Sequence, residues 1–186
     1  LEAGNILHRV WKTLLPTYDV FDERRYFEPG ESCEPILWKG KRIGLTICED
    51  IWTEDYLQRP FYDRDPVEEL SAKGIDLLLN LSASPFQLGK PALRRAMIGG
   101  IAHRAKVPVV YCNTVGANDQ LIFDGHSLVA GANGRISAQL PGFSDVCQVV
   151  DPFLEVEDDV AADDCEPAQI YQALVMGVRD YVTKCG

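Results

Sequence analysis

The segment Leu45-Thr46-Ile47-Cys48-Glu49-Asp50-Ile51-Trp52 runs out of an apolar strand into a cysteine followed at once by two acids, a place where packing alone would not select them. Cys48 is the candidate nucleophile. A thiol attacks as its thiolate, and the unperturbed pKa of about 8.5 means that a neighbouring cation or base must lower the pKa or take the proton. Lys12 is the candidate cation: it follows the strand-like residues 6–11 and precedes Leu15-Pro16, where the chain must turn out of a sheet. An ammonium at such a strand end can stabilise a thiolate and the oxyanion formed when it adds to a carbonyl. Taken singly, each residue also has a plainer reading, the cysteine as a buried core side chain and the lysine as a solvated one.

The elements that must position this pair follow from periodicity. Residues 35–38 and 42–47 flank Lys39-Gly40-Lys41 as a hairpin that delivers Cys48 at its end. Residues 66–73 read as a short helix closed by Gly74, and 75–80 as a buried strand. Over 91–106, Leu93, Met97, Ile98, Ile101, Ala102 and Ala105 recur on one helical face, and 107–113 returns as an apolar strand. Residues 121–123, 127–130, 135–140 and 146–150 read as an antiparallel continuation, with Ala132-Asn133-Gly134 as a turn. The last element, 167–184, is amphipathic through Ile170, Leu174, Val178, Tyr181 and Val182. The fold expected is α/β with a mixed sheet.

At 186 residues, 46% hydrophobic and 25% charged, the chain can build one sizeable core of the kind found in domains of about 100–200 residues. Its apolar runs, such as 75–79, fall far short of the roughly 18 residues of a membrane helix, and no charged-then-apolar leader opens it, so a cytoplasmic placement without membrane contact is expected. The six cysteines, at 33, 48, 112, 147, 165 and 185, form no Cys-x-x-Cys pair and read as reduced thiols; three histidines without ligand spacing predict no metal site. Of the net charge of −10, Glu155, Glu157, Asp158, Asp159, Asp163, Asp164 and Glu166 supply −7 in a stretch without Lys or Arg, which reads as a solvated linker over 155–166. Without a basic face, nucleic-acid binding is not expected. Gly125-His126-Ser127 is no serine-hydrolase elbow, since position 129 is Val, and Gly131-Ala132-Asn133-Gly134 is wrongly spaced for a dinucleotide loop.

Four ordered blocks carry a family resemblance: Lys12-Thr13-Leu14-Leu15-Pro16-Thr17-Tyr18 with Phe21-Asp22-Glu23-Arg24-Arg25-Tyr26-Phe27; Leu45 through Trp52; Asn80-Leu81-Ser82-Ala83-Ser84-Pro85; and Tyr111 through Asp119 with Phe123-Asp124-Gly125-His126-Ser127. Together they resemble the nitrilase superfamily of carbon–nitrogen hydrolases, and most closely the glutaminase domain of glutamine-dependent NAD synthetases. The resemblance implies a nitrilase-like α-β-β-α sandwich, incomplete here, over 1–154. It also implies that 167–186 is the first helix of a following synthetase domain, which is absent because no Ser-Gly-Gly-x-Asp-Ser sequence occurs.

The family's triad is Glu, Lys and Cys. Its lysine and cysteine match Lys12 and Cys48, while its general-base glutamate should precede residue 1, so the chain alone is expected to be weak or inactive. Leu1-Glu2-Ala3-Gly4 resembles the middle of a hairpin, and Glu2 is too close to Lys12 to be that base. Glu23 matches the supporting glutamate some members place near the lysine, or is a solvent-facing acid of the Asp-Glu-Arg-Arg cluster. The backbone N–H of Glu49 would share the oxyanion with Lys12. Tyr18, Ser84 and Lys90 match positions that contact glutamine; Lys90 stands where arginine is frequent, giving a point charge rather than a bidentate fork. Asn80, Ser82 and Ser84 equally suit ordinary turn chemistry.

The partners implied are glutamine and the ammonia passed on, with no cofactor for glutamine hydrolysis, ATP and Mg in the synthetase domain, and a homo-oligomer. Two alternatives remain, a free-standing amidase of the same superfamily and a non-catalytic remnant acting as an interaction module.

Overall fold

Lys39 and Gly40 both take positive φ, 47° and 76°. That pair closes a two-residue turn between β1 (Ile36–Trp38) and β2 (Lys41–Ile47), which pair antiparallel with Trp38 opposite Lys41. The structure, a computed structural model, describes residues 4–52, 62–154 and 165–186. Leu1, Glu2, Ala3 and most of the acidic stretch read as a linker, 155–164, lie outside the described residues. The chain divides into two compact units, Leu1–Asn80 and Leu81–Gly186.

In the first unit, strands β1, β2 and β3 (Leu77–Ser82) lie in that order, β3 running two residues past the unit's end. Gly44 lets the elements close on β2: a Cβ there would stand 3.1 Å from the Ile75 and Leu78 Cδ1 methyls. Helix α1 (Pro66–Ala72) starts with proline in its first turn. Its N-cap Asp65 accepts from the backbone N–H of Val67 at 2.9 Å and Glu68 at 3.0 Å, a cap worth about 1 kcal/mol. Leu14, Leu15, Ile43, Ile51, Val67, Leu70 and Leu78 are buried and form the hydrophobic interior of this unit.

The second unit holds α2 (Lys90–Ala105), β4 (Val109–Asn113), β5 (Val115–Asn118), β6 (Leu121–Asp124), β7 (Leu128–Ala130), β8 (Ile136–Gln139) and α3 (Glu166–Cys185). β4 pairs antiparallel with β7 and β7 with β8, with a bulge at Val129/Ala130, while β5 and β6 form a separate antiparallel hairpin. Gly99 of α2 meets Gly134 of the β7–β8 turn so closely that a Cβ on Gly99 would lie 2.6 Å from the Gly134 carbonyl oxygen. α3 lies on the β5–β6 hairpin: Asp180 accepts from the Ala117 N–H at 2.7 Å, and Ala173 and Met176 bury against Ala117 and Phe143.

Four expectations from periodicity are corrected. Residues 6–11 and 146–150 are not strands, because neither finds a partner ladder among the described residues; Ile6, Leu7, Trp11, Val146 and Val149 stay exposed. β5 was hidden because Val115-Gly116-Ala117-Asn118 carries no apolar alternation. α3 seats Gln169, Ala173 and Met176, leaving Ile170, Leu174, Val178, Tyr181 and Val182 exposed, since Asp180 and Lys184 decide which face meets the hairpin. Leu93, placed on the inner face of α2, is exposed, and Arg94 is fully buried in that helix.

Candidate active site

Cys48 sits where β2 ends and a 3₁₀ turn, Cys48–Ile51, begins, with φ of +47°. The left-handed region costs a side-chain-bearing residue about 1–2 kcal/mol, so the surrounding bonds must hold it there. Asp50 reaches back to accept from the Ile47 N–H at 3.0 Å. The Trp52 N–H bonds the Glu49 carbonyl at 2.9 Å, and the buried Asn80 amide donates to the Cys48 carbonyl at 3.4 Å and to Thr46 Oγ1 at 3.1 Å. Asn80 therefore belongs to β3 itself rather than to a turn motif, as does Ser82. None of the six cysteines is in a disulfide.

Lys12 Nζ donates to both oxygens of Glu23, at 2.7 and 2.5 Å, and the pair is largely shielded from solvent. The Glu23 side chain is carried by a 3₁₀ turn, Glu23–Arg25. Glu23 is thus paired with Lys12 and only partly exposed. Glu49, 4% exposed, accepts at Oε1 from the hydroxyls of Tyr18 at 2.7 Å and Tyr62 at 2.9 Å. Burial pushes the Glu49 carboxyl up, and the two tyrosine hydrogen bonds and the Lys12 charge oppose that rise. Both tyrosine hydroxyls are pushed well above their ordinary range, first by burial and then by the adjacent carboxylate, so they remain donors. Lys12, Glu23, Tyr18, Cys48 and Glu49 thus belong to one unit, and Tyr62 joins them. Tyr62 was not singled out from sequence; its neighbours 53–61 offered no motif around it.

The second unit holds the other two sequence-predicted residues. Ser84 is buried, with its N–H donating to Asn113 Oδ1 at 2.9 Å and its carbonyl accepting from Asn113 Nδ2 at 3.4 Å and Arg94 Nη2 at 3.3 Å. Arg94 and Asp124, both 0% exposed, form a two-pronged ion pair at 2.9 and 2.8 Å, and His126 Nδ1 lies 2.8 Å from the second Asp124 oxygen. This network fixes the Ser84-Pro85 loop from beneath. Lys90 opens α2 after the left-handed Gly89 (φ +77°), setting an ammonium on the first turn of that helix.

Cys48, a potential nucleophile, is thus held in a strained elbow after a strand, in the unit that also holds the Lys12–Glu23 pair. Residues 3–151 match the family model described as carbon-nitrogen hydrolase, and the chain belongs to that family. Over its whole length it is 41% identical to the glutamine-dependent NAD(+) synthetase of Synechocystis sp., of which it covers 34%. The solved structure of the glutamine-dependent NAD+ synthetase from Acinetobacter baumannii with ADP aligns with 100% of this chain and 34% of that one, at 37% identity and a TM-score of 0.85. An amidase from Nesterenkonia sp. AN1, solved with acrylamide added at its active-site cysteine, aligns with 70% of this chain and 46% of its own, at 25% identity and a TM-score of 0.56. The α/β fold is that of these hydrolases, and the chain spans about a third of the synthetases it matches.

Proposed function

We propose that this chain is the glutaminase part of a glutamine-dependent NAD synthetase, hydrolysing the glutamine side-chain amide to release ammonia for ATP-dependent amidation of nicotinic acid adenine dinucleotide. The observation that carries the reading is Cys48, held left-handed at the end of β2 in the unit that also holds the Lys12–Glu23 pair.

In this account the Cys48 thiolate attacks the amide carbon, forming a C–S bond. The oxyanion is held by the Lys12 ammonium and the Glu49 N–H, where losing one such donor costs on the order of 10²–10³ in rate. The family's general-base glutamate, which no residue of this sequence matches, would take the Cys48 thiol proton as the C–S bond forms and pass it to the nitrogen, so that the intermediate collapses by breaking the C–N bond and the nitrogen leaves as ammonia. Water then attacks the thioester carbon and releases glutamate. Glu23 orients the Lys12 side chain through its two hydrogen bonds. Tyr18, Ser84 and Lys90 each match a position that contacts glutamine in the family, and Tyr18 and Tyr62 hold the Glu49 carboxyl. Residues 167–186 would open the synthetase domain, where ATP and Mg act; among the described residues of this chain no group of three carboxylates, imidazoles or thiols is placed to hold a metal, and no step here runs through one.

The amidase alternative uses the same cysteine chemistry without the ATP-dependent step, and the synthetase reading is favoured by its higher identity and full-length alignment, 37% and a TM-score of 0.85 against 25% and 0.56. The test is Cys48→Ala in the longer protein that contains this chain. Glutamine-supported product formation should vanish while ammonia-supported formation survives; loss of both, or survival of both, overturns the reading.

A further inference from the structure

We infer that Asp50 is a positioning residue that sets the lysine arm against the cysteine elbow, an inference that rests on the reading of Lys12 and Cys48 as the reacting pair. Asp50 is 3% exposed. Its Oδ1 accepts from the N–H of Thr13 at 2.9 Å and of Leu14 at 2.7 Å, and its Oδ2 accepts from the N–H of Ile47 at 3.0 Å. Two of the three donors directly follow Lys12, and the third directly precedes Cys48.

The lysine arm lies in no strand, so these N–H groups have no ladder to join; the carboxylate takes its place. The peptide linking Lys12 to Thr13 is thereby held at both polar ends. Its N–H goes to Asp50, and its carbonyl accepts from the Gly30 N–H at 2.8 Å. Gly30 is itself fixed, because its carbonyl accepts from Arg64 Nη1 at 2.7 Å, and Arg64 grips Glu69 of α1 through Nε and Nη2, each at 2.7 Å. A Cβ on Gly30 would lie 2.8 Å from the Trp11 carbonyl oxygen, so the approach depends on glycine.

Only a short carboxylate satisfies this arrangement. An asparagine has one acceptor oxygen, and its amide N–H₂ would face at least one backbone donor; a glutamate reaches one methylene too far. A carboxylate taken out of water for backbone donors alone is a costly way to close a turn, and burial indeed pushes the Asp50 carboxyl up against the opposing pull of those bonds and the Lys12 charge. What the arrangement secures is the location of the Lys12 backbone against the nucleophile's own turn, through an acid two residues after Cys48.

The experiment uses the longer protein, with Asp50→Asn beside Cys48→Ala, each assayed with glutamine and with ammonium as nitrogen source. A misplacement of about 1 Å costs about 10²-fold. Asp50→Asn should therefore lower kcat for glutamine by about that factor, with KM changed less than about threefold. The ammonia-supported rate, which belongs to the other site, should be kept. Unchanged glutamine turnover, a change confined to KM, or an equal fall of both activities overturns the inference. If Asp50→Asn does not accumulate as folded protein, Asp50→Glu replaces it, and full glutamine activity in that variant overturns the inference as well. If Cys48→Ala retains glutamine-supported activity, the underlying reading fails; if Cys48→Ala is dead while Asp50→Asn is unimpaired, only the role of Asp50 fails.

Discussion

Asp124→Asn should be among the most damaging single-atom changes in the second unit. Arg94 and Asp124 are both 0% exposed, and Asp124 receives Arg94 Nη1 at 2.9 Å, Arg94 Nη2 at 2.8 Å and His126 Nδ1 at 2.8 Å. Arg94 Nε is already buried without a partner among the described residues, and the Ser84 and Pro85 carbonyls that Nη2 also reaches, at 3.3 and 3.4 Å, are neutral and cannot replace the carboxylate charge. An asparagine keeps one acceptor, turns an amide N–H₂ toward a donor and leaves the guanidinium charge uncompensated. Breaking a buried pair in this way costs about 3–5 kcal/mol, which for a chain of this size is a fall in Tm of roughly 6–20 °C.

The same carboxylate sets a pH dependence. Burial alone would raise its pKa, but the His126 and Arg94 hydrogen bonds and the Arg94 charge hold it below the ordinary carboxylate range. Its stabilisation is therefore fully present above the unfolded-chain value of about 3.9 and is lost as pH falls toward the lower folded value. Calorimetry at pH 7 and at several values down to pH 3 measures both effects. The double variant Arg94→Met/Asp124→Leu, which removes both charges, should recover much of the loss. A cost of Asp124→Asn below about 1 kcal/mol, or a double variant no better than the single one, would refute the reasoning.

Other outcomes follow from the first unit. Cys48→Gly should be more stable than Cys48→Ala by about 1 kcal/mol in urea unfolding, because glycine relieves the left-handed strain at φ +47°; equal stabilities would remove the strained elbow. Lys12→Met in the longer protein should lower glutamine turnover by about 10²–10³-fold through loss of an oxyanion donor, measured as kcat with glutamine against ammonium. The Glu49 carboxyl is raised by burial, so its ionisation opposes folding as pH rises above its ordinary 4.5. Glu49→Gln, which keeps an acceptor for Tyr18 and Tyr62, should thus gain in Tm relative to the parent between pH 4.5 and 7; parallel curves would contradict this.

The sequence made the hairpin to Cys48, both early helices and the β3–α2–β4 succession legible, because each carries its own period and its own punctuation: Lys39-Gly40, Pro66 with Gly74, and Pro91 before a run of apolar residues at helical spacing. What it hid depends on partners distant along the chain. Residues 6–11 look like a strand by composition, yet the N–H groups of Thr13 and Leu14 just beyond them are satisfied by a carboxylate 36–37 residues away. The acid at position 50 stood out only as one of the two that follow Cys48, and nothing local marks it as a three-way acceptor. Arg94 sits in a helix read as apolar because its compensating charge, Asp124, lies 30 residues on. The seating of α3 was misread for the same reason, since Asp180 bonds a backbone N–H 63 positions earlier.

The central claim is that Cys48 carries the acyl group. Incubating the longer protein with glutamine, quenching in acid and mapping its peptides by mass spectrometry should place a γ-glutamyl adduct on the peptide containing Cys48, absent from Cys48→Ala. Glutamine turnover with the adduct on another residue, or persisting in Cys48→Ala, would contradict the account.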